Sequence, residues 1–246
     1  MGMIINEGGS NMNIRSVDAG SGWDWIRGGF GLFRQNPVIW IALFFIYLLI
    51  CMALSIVPVV GPIVLNLLAP VFMAGFMLGC QALESGEELE INHLFAGFRQ
   101  NTSQLITVGG LYLAGIIMIV GLMFVMTGGA VLAVGEQGRA AGTAVSANML
   151  PAVLLALVLL LPLIMAYWFA PTLVVFHGIS AVDAMKLSFT ACLRNILPFT
   201  VYSLISMVLL LLAAIPLGLG LLAMIPTMTA SLYVSYKDIF SEDALV

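Results

Sequence analysis

Six apolar runs, each long enough to cross a bilayer as a helix, constrain this sequence more than any other feature. A helix rises about 1.5 Å per residue, so about 20 apolar residues span the hydrocarbon core of a membrane. In chain order the runs cover residues 38–57, 59–80, 104–126, 149–176, 197–215 and 217–236. The fourth run is long and contains Pro162 and Pro171, which predicts a kinked or tilted helix. We therefore predict an all-α integral membrane protein with six transmembrane helices.

The segments around these runs predict how they are joined. VPVVGP (residues 57–62) and IPLGLG (215–220) are typical of tight joints, and the Gly- and Ala-rich stretch at 127–147 predicts a loop. Residues 1–20 are polar and predict a disordered tail, which leaves 21–246 as a single membrane domain. Only 8% of the residues are charged, whereas a soluble domain has about 25%. The net charge of −4 offers no basic surface for nucleic acid.

Basic residues predict the orientation of the chain. With six spans, one side of the membrane receives all but one of them: Arg15, Arg27, Arg34, Arg99, Lys186, Arg194 and Lys237, with Arg139 alone on the other side. Cytoplasmic segments of membrane proteins are enriched in Lys and Arg. Both termini are therefore predicted to be cytoplasmic.

A short phrase recurs at the entrance of three of the runs. FGLFRQN covers residues 30–36, FAGFRQN covers 95–101, and a weaker copy, FTACLRN, covers 189–195. The large apolar residues before and within each copy recur at helical spacing, which predicts an amphipathic helix at the cytoplasmic interface, its aromatic stripe towards lipid. We expect the Asn to cap the next helix. The candidate interfacial residues are Trp23, Phe30, Phe33, Arg34, Asn36, Phe95, Phe98, Arg99, Asn101, Phe189, Arg194 and Asn195.

The three copies divide the membrane domain into units. Each unit would contain one interfacial helix followed by a hairpin of two spans, and the units cover residues 21–80, 81–176 and 177–246. A Pro followed four residues later by Ala recurs in the second span of each unit: Pro70 and Ala74, Pro162 and Ala166, Pro226 and Ala230. The alternative is a chance likeness between apolar segments. We predict three parallel units, because an even number of spans keeps every interfacial helix on one side.

Few residues could carry chemistry. No Lys, Arg, Asp, Glu or His lies deep in a predicted span, although such groups usually mark ion or proton pathways. Asn66, the most polar side chain near a span centre, has two interpretations: a substrate contact, or the more common interhelical hydrogen bond. Glu90 and His93 share a helix face, but a single pair of this kind predicts a solvated surface rather than a metal site. His177 ends a span and is predicted to be interfacial rather than a ligand. We predict no catalytic residue, metal or cofactor.

The segments GWDWIRGGFGLFRQNP, HLFAGFRQN, AMKLSFTACLRNILPF and SLYVSYKDIF resemble an uncharacterised family of six-span proteobacterial inner-membrane proteins. This resemblance covers nearly the whole chain after residue 20 and implies a multi-pass protein of the bacterial inner membrane. More distantly, an interfacial helix followed by a hairpin is similar to the membrane domain of some glycerophosphodiester phosphodiesterases. The soluble phosphodiesterase domain has no counterpart here, so that resemblance implies no activity.

Two hypotheses follow for function, and an intramembrane enzyme is the least favoured third. The first is a non-catalytic scaffold or accessory protein that binds membrane lipids, a protein partner or a second copy of itself. The second is a passive carrier or channel for a weakly polar or lipid-like solute, with Asn66 as the contact. Loss of transport on Asn66→Ala would favour the carrier, and loss of binding on Phe30→Ala or Phe95→Ala would favour the scaffold.

Overall fold

The computed structural model describes residues 13–132 and 138–240, with side chains described for 13–127 and 149–240. All regular structure in these ranges is helical, which confirms the all-α prediction. The α-helices, in chain order, are α1 (Ser21–Gln35), α2 (Pro37–Ser55), α3 (Val60–Glu84), α4 (Thr102–Leu132), α5 (Gly138–Trp168), α6 (Ala170–His177), α7 (Ala181–Arg194), α8 (Ile196–Ala214) and α9 (Leu221–Ile239). A 3₁₀ helix, Ile91–Phe98, lies between α3 and α4.

Within the described chain, five helical segments are long and apolar enough to cross a membrane. They are Pro37–Ser55, Val60–Glu84, Thr102–Thr127, Met149–His177 and Ile196–Ala214. The sixth predicted run falls on α9, which has 19 residues. This helix contains several Ser, Thr and Tyr side chains and has Lys237 and Asp238 in its last turn. Hydropathy therefore identifies a multi-helix membrane protein with five candidate spans and does not by itself mark α9 as another.

The long fourth span breaks as its prolines predicted. Its helix is interrupted at Phe169, and α6 restarts with Pro171 in its first turn, where the missing N–H removes no helical hydrogen bond. Gly178 ends α6 in the left-handed conformation, with a φ of 64°. The Ser180 hydroxyl then begins α7 by accepting a hydrogen bond from the Asp183 amide. The kink predicted for this span is therefore confirmed.

Two of the three connections predicted between the long helices are confirmed. The α2–α3 joint covers only residues 56–59 and the α8–α9 joint only 215–220, so both are tight as predicted. The predicted loop at 127–147 is wrong, because α4 continues to Leu132 and α5 begins at Gly138. Ala is the strongest helix former and is frequent in this stretch, which favours helix despite the Gly residues. Residues 133–137 lie outside the described part of the chain.

Buried side chains concentrate at one end of the bundle, called here the amphipathic-helix end because α1, the 3₁₀ helix and α7 lie there. The helices α2 and α8 bury residues mainly in their first halves, for example Trp40 and Tyr202. The helices α3 and α9 bury residues mainly in their second halves, for example Phe76 and Tyr236. Near the joints apolar side chains are largely exposed, and Leu217 reaches 97%. The helices are therefore packed together more extensively at the amphipathic-helix end than near the joints.

Each amphipathic segment packs against a long helix at this end. The segment α1 lies on α9 and α8, the 3₁₀ helix lies on α3, and α7 lies on α5 and α6. Gly29 permits the first contact, because a Cβ there would lie 2.5 Å from the Thr227 carbonyl oxygen and 2.6 Å from the Ser231 amide nitrogen. Gly97 in the 3₁₀ helix lies similarly against the Val71 carbonyl of α3. Two of the three contacts therefore bring backbone against backbone.

The described N-terminal segment, from residue 13 to α1, is held by later parts of the chain. The Arg15 amide donates a hydrogen bond of 2.9 Å to the Ile239 carbonyl. The buried Asn195 side chain accepts from the Val17 amide (2.9 Å) and donates to the Arg15 carbonyl (3.0 Å). The predicted disordered tail, 1–20, thus includes anchored residues, and residues 1–12 lie outside the described chain.

Candidate functional site

The predicted apolar stripe of α1 is divided between two environments. Ile26 and Phe33 are buried, whereas Trp23 and Phe30 are exposed by 44% and 45%. The Arg34 guanidinium lies 5.8 Å from the centroid of the Phe30 ring, close enough for a cation–π contact. Part of the stripe packs against the bundle and part is exposed, because the stripe lies at the boundary between the buried and the exposed sides of α1.

The second copy of the phrase also exposes aromatic rings. Phe95 and Phe98 are exposed by 41% and 39%, and Arg99 follows them in an exposed position. One edge of each ring rests on α3, where the Phe72 ring centroid is 5.4 Å from that of Phe98 and 6.3 Å from that of Phe95. The exposed rings within or just before the first two copies are called here the aromatic belt: Trp23, Phe30, Phe95 and Phe98.

The third copy contributes less to this exposed surface. Phe189 is half-buried, and Arg194 is exposed. The adjacent Ser188 hydroxyl donates to the Met165 carbonyl (2.6 Å) and accepts from the Phe169 amide (2.9 Å), which ties α7 to the break in the fourth span. The weaker sequence match of this copy corresponds to a helix that is used more for packing.

The Asn of each copy stands at the start of the next long helix, as predicted, but its role differs between copies. Asn36 and Asn195 precede α2 and α8 without a side-chain cap, so the capping prediction is wrong for both. The Asn195 side chain instead holds the N-terminal segment. The side-chain nitrogen of Asn101 (Nδ2) donates a hydrogen bond of 3.1 Å to the Val174 carbonyl of α6. Two of the three side chains thus connect distant parts of the chain.

An exposed charge pair lies on α7 and is separate from the bundle. The Lys186 ammonium is 3.4 Å from the Asp183 carboxylate, and both side chains are about half exposed or more, at 70% and 49%. The hydrogen bond from the Ser180 hydroxyl, opposed by slight burial and supported by Lys186, holds the pKa of Asp183 below its ordinary value. A pair this exposed contributes little to stability.

Glu90 is exposed, as expected for the solvated surface predicted from the sequence, and it also forms a cap with His93. The Glu90 amide donates to His93 Nδ1 (3.0 Å), and the Glu90 carboxylate accepts from the His93 amide, which is a reciprocal capping box for the 3₁₀ helix. No group of three His, Cys, Asp or Glu side chains that could hold a metal occurs within residues 13–132 and 138–240.

Asn66 bonds within its own helix and not to a neighbouring one, and its interpretation as a substrate contact stays a prediction. Its Nδ2 donates to the Pro62 carbonyl at 2.8 Å. The helix α4 approaches at this level through Gly109, whose added Cβ would lie 2.6 Å from the Asn66 carbonyl oxygen. The predicted interhelical hydrogen bond is thus replaced by an intrahelical one beside a close helix contact.

Three helices, two long and one short, converge on a cavity at the amphipathic-helix end. The C-terminal ends of α3, α6 and α9 border it, and its volume is about 430 Å³. This size lies within the range of small-molecule sites, about 300–1,000 Å³. Polar and aromatic side chains line it, principally Glu84, Phe176, His177, Tyr233, Tyr236 and Lys237.

Hydrogen bonds connect the polar groups of this cavity across helices. The Lys237 ammonium donates to Glu84 Oε1 (2.6 Å), and the Tyr233 hydroxyl donates to Glu84 Oε2 (2.8 Å). A hydrogen bond of 2.6 Å joins His177 Nε2 and the Tyr236 hydroxyl. The Glu84 and Lys237 side chains are 45% and 49% exposed, so both can meet a ligand from outside.

Sequence reasoning missed this cavity because its residues come from three distant segments. Glu84 lies four residues beyond the predicted end of its span, and Lys237 served only as an indicator of orientation. One signal was available, since Tyr233, Tyr236 and Lys237 are spaced to share one face of a helix. Nothing in that spacing indicates Glu84 or His177 as partners.

Comparison with known proteins places these features in a family. The family model described as "Domain of unknown function (DUF7847)" matches residues 24–237. A probable inner membrane protein of Burkholderia thailandensis is 35% identical over 230 residues, which cover 90% of this chain and 84% of that protein. No solved structure matches the chain significantly. Both exposed copies of the phrase and the cavity residues from Gln81 to Lys237 lie inside the matched range, and Phe240 lies just beyond it.

Proposed function

This chain belongs to the DUF7847 family. We propose that it is a non-catalytic scaffold that binds and organises lipid in the bacterial inner membrane. One observation carries the proposal: the aromatic belt is exposed beside the basic residues of the same segments. Phe30 has Arg34 over its ring, and Phe98 is followed directly by Arg99. Aromatic rings with adjacent basic groups suit the interface between acyl chains and anionic head groups.

A contact between the two ends of the described chain supports six spans with both termini on one side. The Trp25 indole bonds to Asp238, and the Arg15 amide bonds to the Ile239 carbonyl. Groups in hydrogen-bond contact lie on the same side of a membrane. An even number of crossings separates them, so α9 would complete the five spans identified by hydropathy. The distribution of Lys and Arg supports the cytoplasm as that side.

The packing of the amphipathic segments supports the three-unit arrangement. The 3₁₀ helix packs on α3 and α7 packs on α5 and α6, so each lies on the second span of the preceding unit. The segment α1 has no preceding unit and lies on α9, the second helix of the last one. This cyclic order is what three equivalent units closed into a ring would produce.

The test is detergent-free extraction of the protein in its native lipid patch, followed by mass spectrometry of the retained molecules. We expect the wild type to retain lipid in a defined ratio and the double variant Phe30→Ala/Phe95→Ala to retain less. The matched control is Phe45→Ala, because Phe45 is also exposed, by 58%, but lies within the α2 span. Equal lipid retention by the double variant and the wild type would contradict the lipid scaffold. Stoichiometric loss of a protein from the double variant would reassign the belt to a protein partner.

A carrier for a lipid-like solute is the second proposal, and the cavity is the observation that favours it. Asn66 and Glu84 are both on α3, about 27 Å apart at 1.5 Å per residue, so a passage would have to connect them along this helix. Asn66→Ala should then slow uptake of solute by reconstituted vesicles. Unchanged flux would leave the scaffold as the better description. The resemblance to phosphodiesterase membrane domains implies no activity for this chain.

A further inference from the structure

We propose that the cavity at the C-terminal ends of α3, α6 and α9 binds a zwitterionic head group, one that carries an ammonium group next to a phosphate or carboxylate. This inference rests on the proposed function, since it names the lipid chemistry that the scaffold would recognise. Two features carry it: the bridged Glu84–Lys237 pair in the wall, and the aromatic surface beside the pair.

The Glu84 side of the cavity suits an ammonium group. The Glu84 carboxylate has two oxygens with about four acceptor positions, and the observed bonds from Lys237 and Tyr233 use one per oxygen. The C-terminal ends of three helices surround this point, and each contributes partial negative charge. The rings of Phe176 and Tyr236, with centroids 5.4 Å apart, provide an aromatic wall for a cation and its methylene groups.

The Lys237 side of the cavity suits an anionic group. A lysine ammonium has three N–H donors, and Glu84 accepts one of them here at 2.6 Å. His177 and the Tyr236 hydroxyl line the same cavity and are hydrogen-bonded to each other. Phosphate and carboxylate oxygens are strong acceptors for the Lys237 ammonium, and bonds to a charged donor are roughly twice as strong as neutral ones.

The pairing of opposite charges favours a zwitterion over a simple ion. A lone cation at Glu84 would be repelled by Lys237 at 2.6 Å from the same carboxylate, and a lone anion at Lys237 would be repelled by Glu84. A zwitterion aligned head to tail with the pair adds two attractions and no net charge. Glu84 and His177 are the last residues of two helical segments that are long and apolar enough to cross a membrane, so the cavity borders the ends of these segments. The same chemistry occurs in a lipid head group and in a free solute.

The experiment uses the full-length protein in nanodiscs of mixed phosphatidylethanolamine and phosphatidylglycerol, with native mass spectrometry of the retained lipid. Phosphatidylglycerol is the comparison because it has the phosphate but no ammonium. We expect selective retention of phosphatidylethanolamine by the wild type. Loss of charge-assisted bonds in Glu84→Gln or Lys237→Met should reduce that selectivity about tenfold. The matched control is Lys186→Met, which breaks the more exposed pair on α7 and should leave selectivity unchanged.

A second arm separates the two sources of the ligand. Free phosphoethanolamine is added to nanodiscs that contain phosphatidylglycerol alone, and its binding is measured by calorimetry. Binding that is lost in Glu84→Gln, together with equal retention of both lipids by the wild type, would assign the site to a free solute. Equal retention of both lipids by the wild type together with no binding of phosphoethanolamine would overturn the proposal, as would unchanged selectivity in both cavity variants.

The aromatic-belt variants distinguish this proposal from the scaffold on which it rests. If Phe30→Ala/Phe95→Ala lowers total lipid while head-group selectivity remains, both proposals stand. If total lipid falls in the belt variant but the wild type shows no selectivity, only the inference about the cavity fails. Thermal unfolding of each variant identifies a loss that comes from misfolding, and the near-isosteric Glu84→Gln is the variant expected to fold as the wild type.

Discussion

The Trp25 indole nitrogen donates a hydrogen bond of 2.8 Å to the Asp238 carboxylate and so joins the first helix of the chain to the last. Trp25 is 1% exposed, and its ring also packs on Phe199 and Tyr202 of α8. A residue near the start of the membrane domain is thereby buried by the last two helices. The fold of this protein therefore depends on a contact that forms only after nearly the whole chain is in place.

This contact gives the first stability prediction. Trp25→Phe retains an aromatic ring but removes the donor to a charged acceptor, which should lower the free energy of unfolding by about 1.5–3 kcal/mol. Thermal unfolding in detergent micelles measures the change. Trp23→Phe is the matched control, because Trp23 lies two residues away and is 44% exposed. Equal melting temperatures for the two variants would contradict this account of Trp25.

Two glycines of α1 should respond oppositely to the same substitution. Gly29→Ala places a methyl group within 2.6 Å of the α9 backbone and should cost about 1–3 kcal/mol, since backbone cannot move aside as a side chain can. Gly31→Ala meets nothing within 4 Å and should stabilise the helix by up to about 1 kcal/mol. Chemical unfolding of both variants gives the comparison. A stabilising Gly29→Ala would show that α1 does not pack on α9 this closely.

Removal of the Asn195 side chain should release the N-terminal segment. Asn195→Ala deletes the bonds to Val17 and Arg15, and hydrogen exchange of the Val17 amide should accelerate by at least about tenfold. The helices α7 and α8 should keep their protection. Asn36→Ala, at the matching position of the first copy, leaves both bonds intact and serves as the control. Unchanged exchange at Val17 would mean that Asn195 does not anchor the segment.

Reporter fusions test the proposed topology. With six spans, reporters at the N-terminus and after Asp238 lie in the cytoplasm, and reporters inserted at 56–59 and 215–220 lie on the opposite side. A periplasm-active phosphatase and a cytoplasm-active fluorescent protein give complementary readouts at each position. A C-terminal reporter on the side opposite the N-terminal one would exclude α9 as a span and would be incompatible with the Trp25–Asp238 bond.

Sequence reasoning was most successful where the signal is local. Apolar length identified the long helices, and the prolines identified the break at Phe169, because both depend on neighbouring residues alone. It failed for the face of α1, where Ile26 is buried and Phe30 is exposed, because periodicity shows a stripe and not the partner that covers it. The loop at 127–147 failed for a different reason: glycine suggested a turn where alanine favours helix.

The candidate site shows the same limit more clearly. Asn195 was predicted to cap the next helix, but its side chain instead holds residues that are 178 and 180 positions away in the chain. Glu84 and Lys237 are 153 positions apart, and no spacing rule relates residues at that separation. Hydropathy also takes no account of contacts within the bundle that satisfy the polar side chains of α9, such as the 2.8 Å bond between the Ser231 and Tyr202 hydroxyls.

The concentration of buried side chains at the amphipathic-helix end has a mechanical consequence. The two helices of each pair, α2–α3 and α8–α9, contact each other little, and apolar side chains near their joints, such as Leu217, are exposed. Tilting one helix of such a pair at its joint would therefore separate few side chains. We expect these two joints to move more readily than the amphipathic-helix end, where most buried side chains lie.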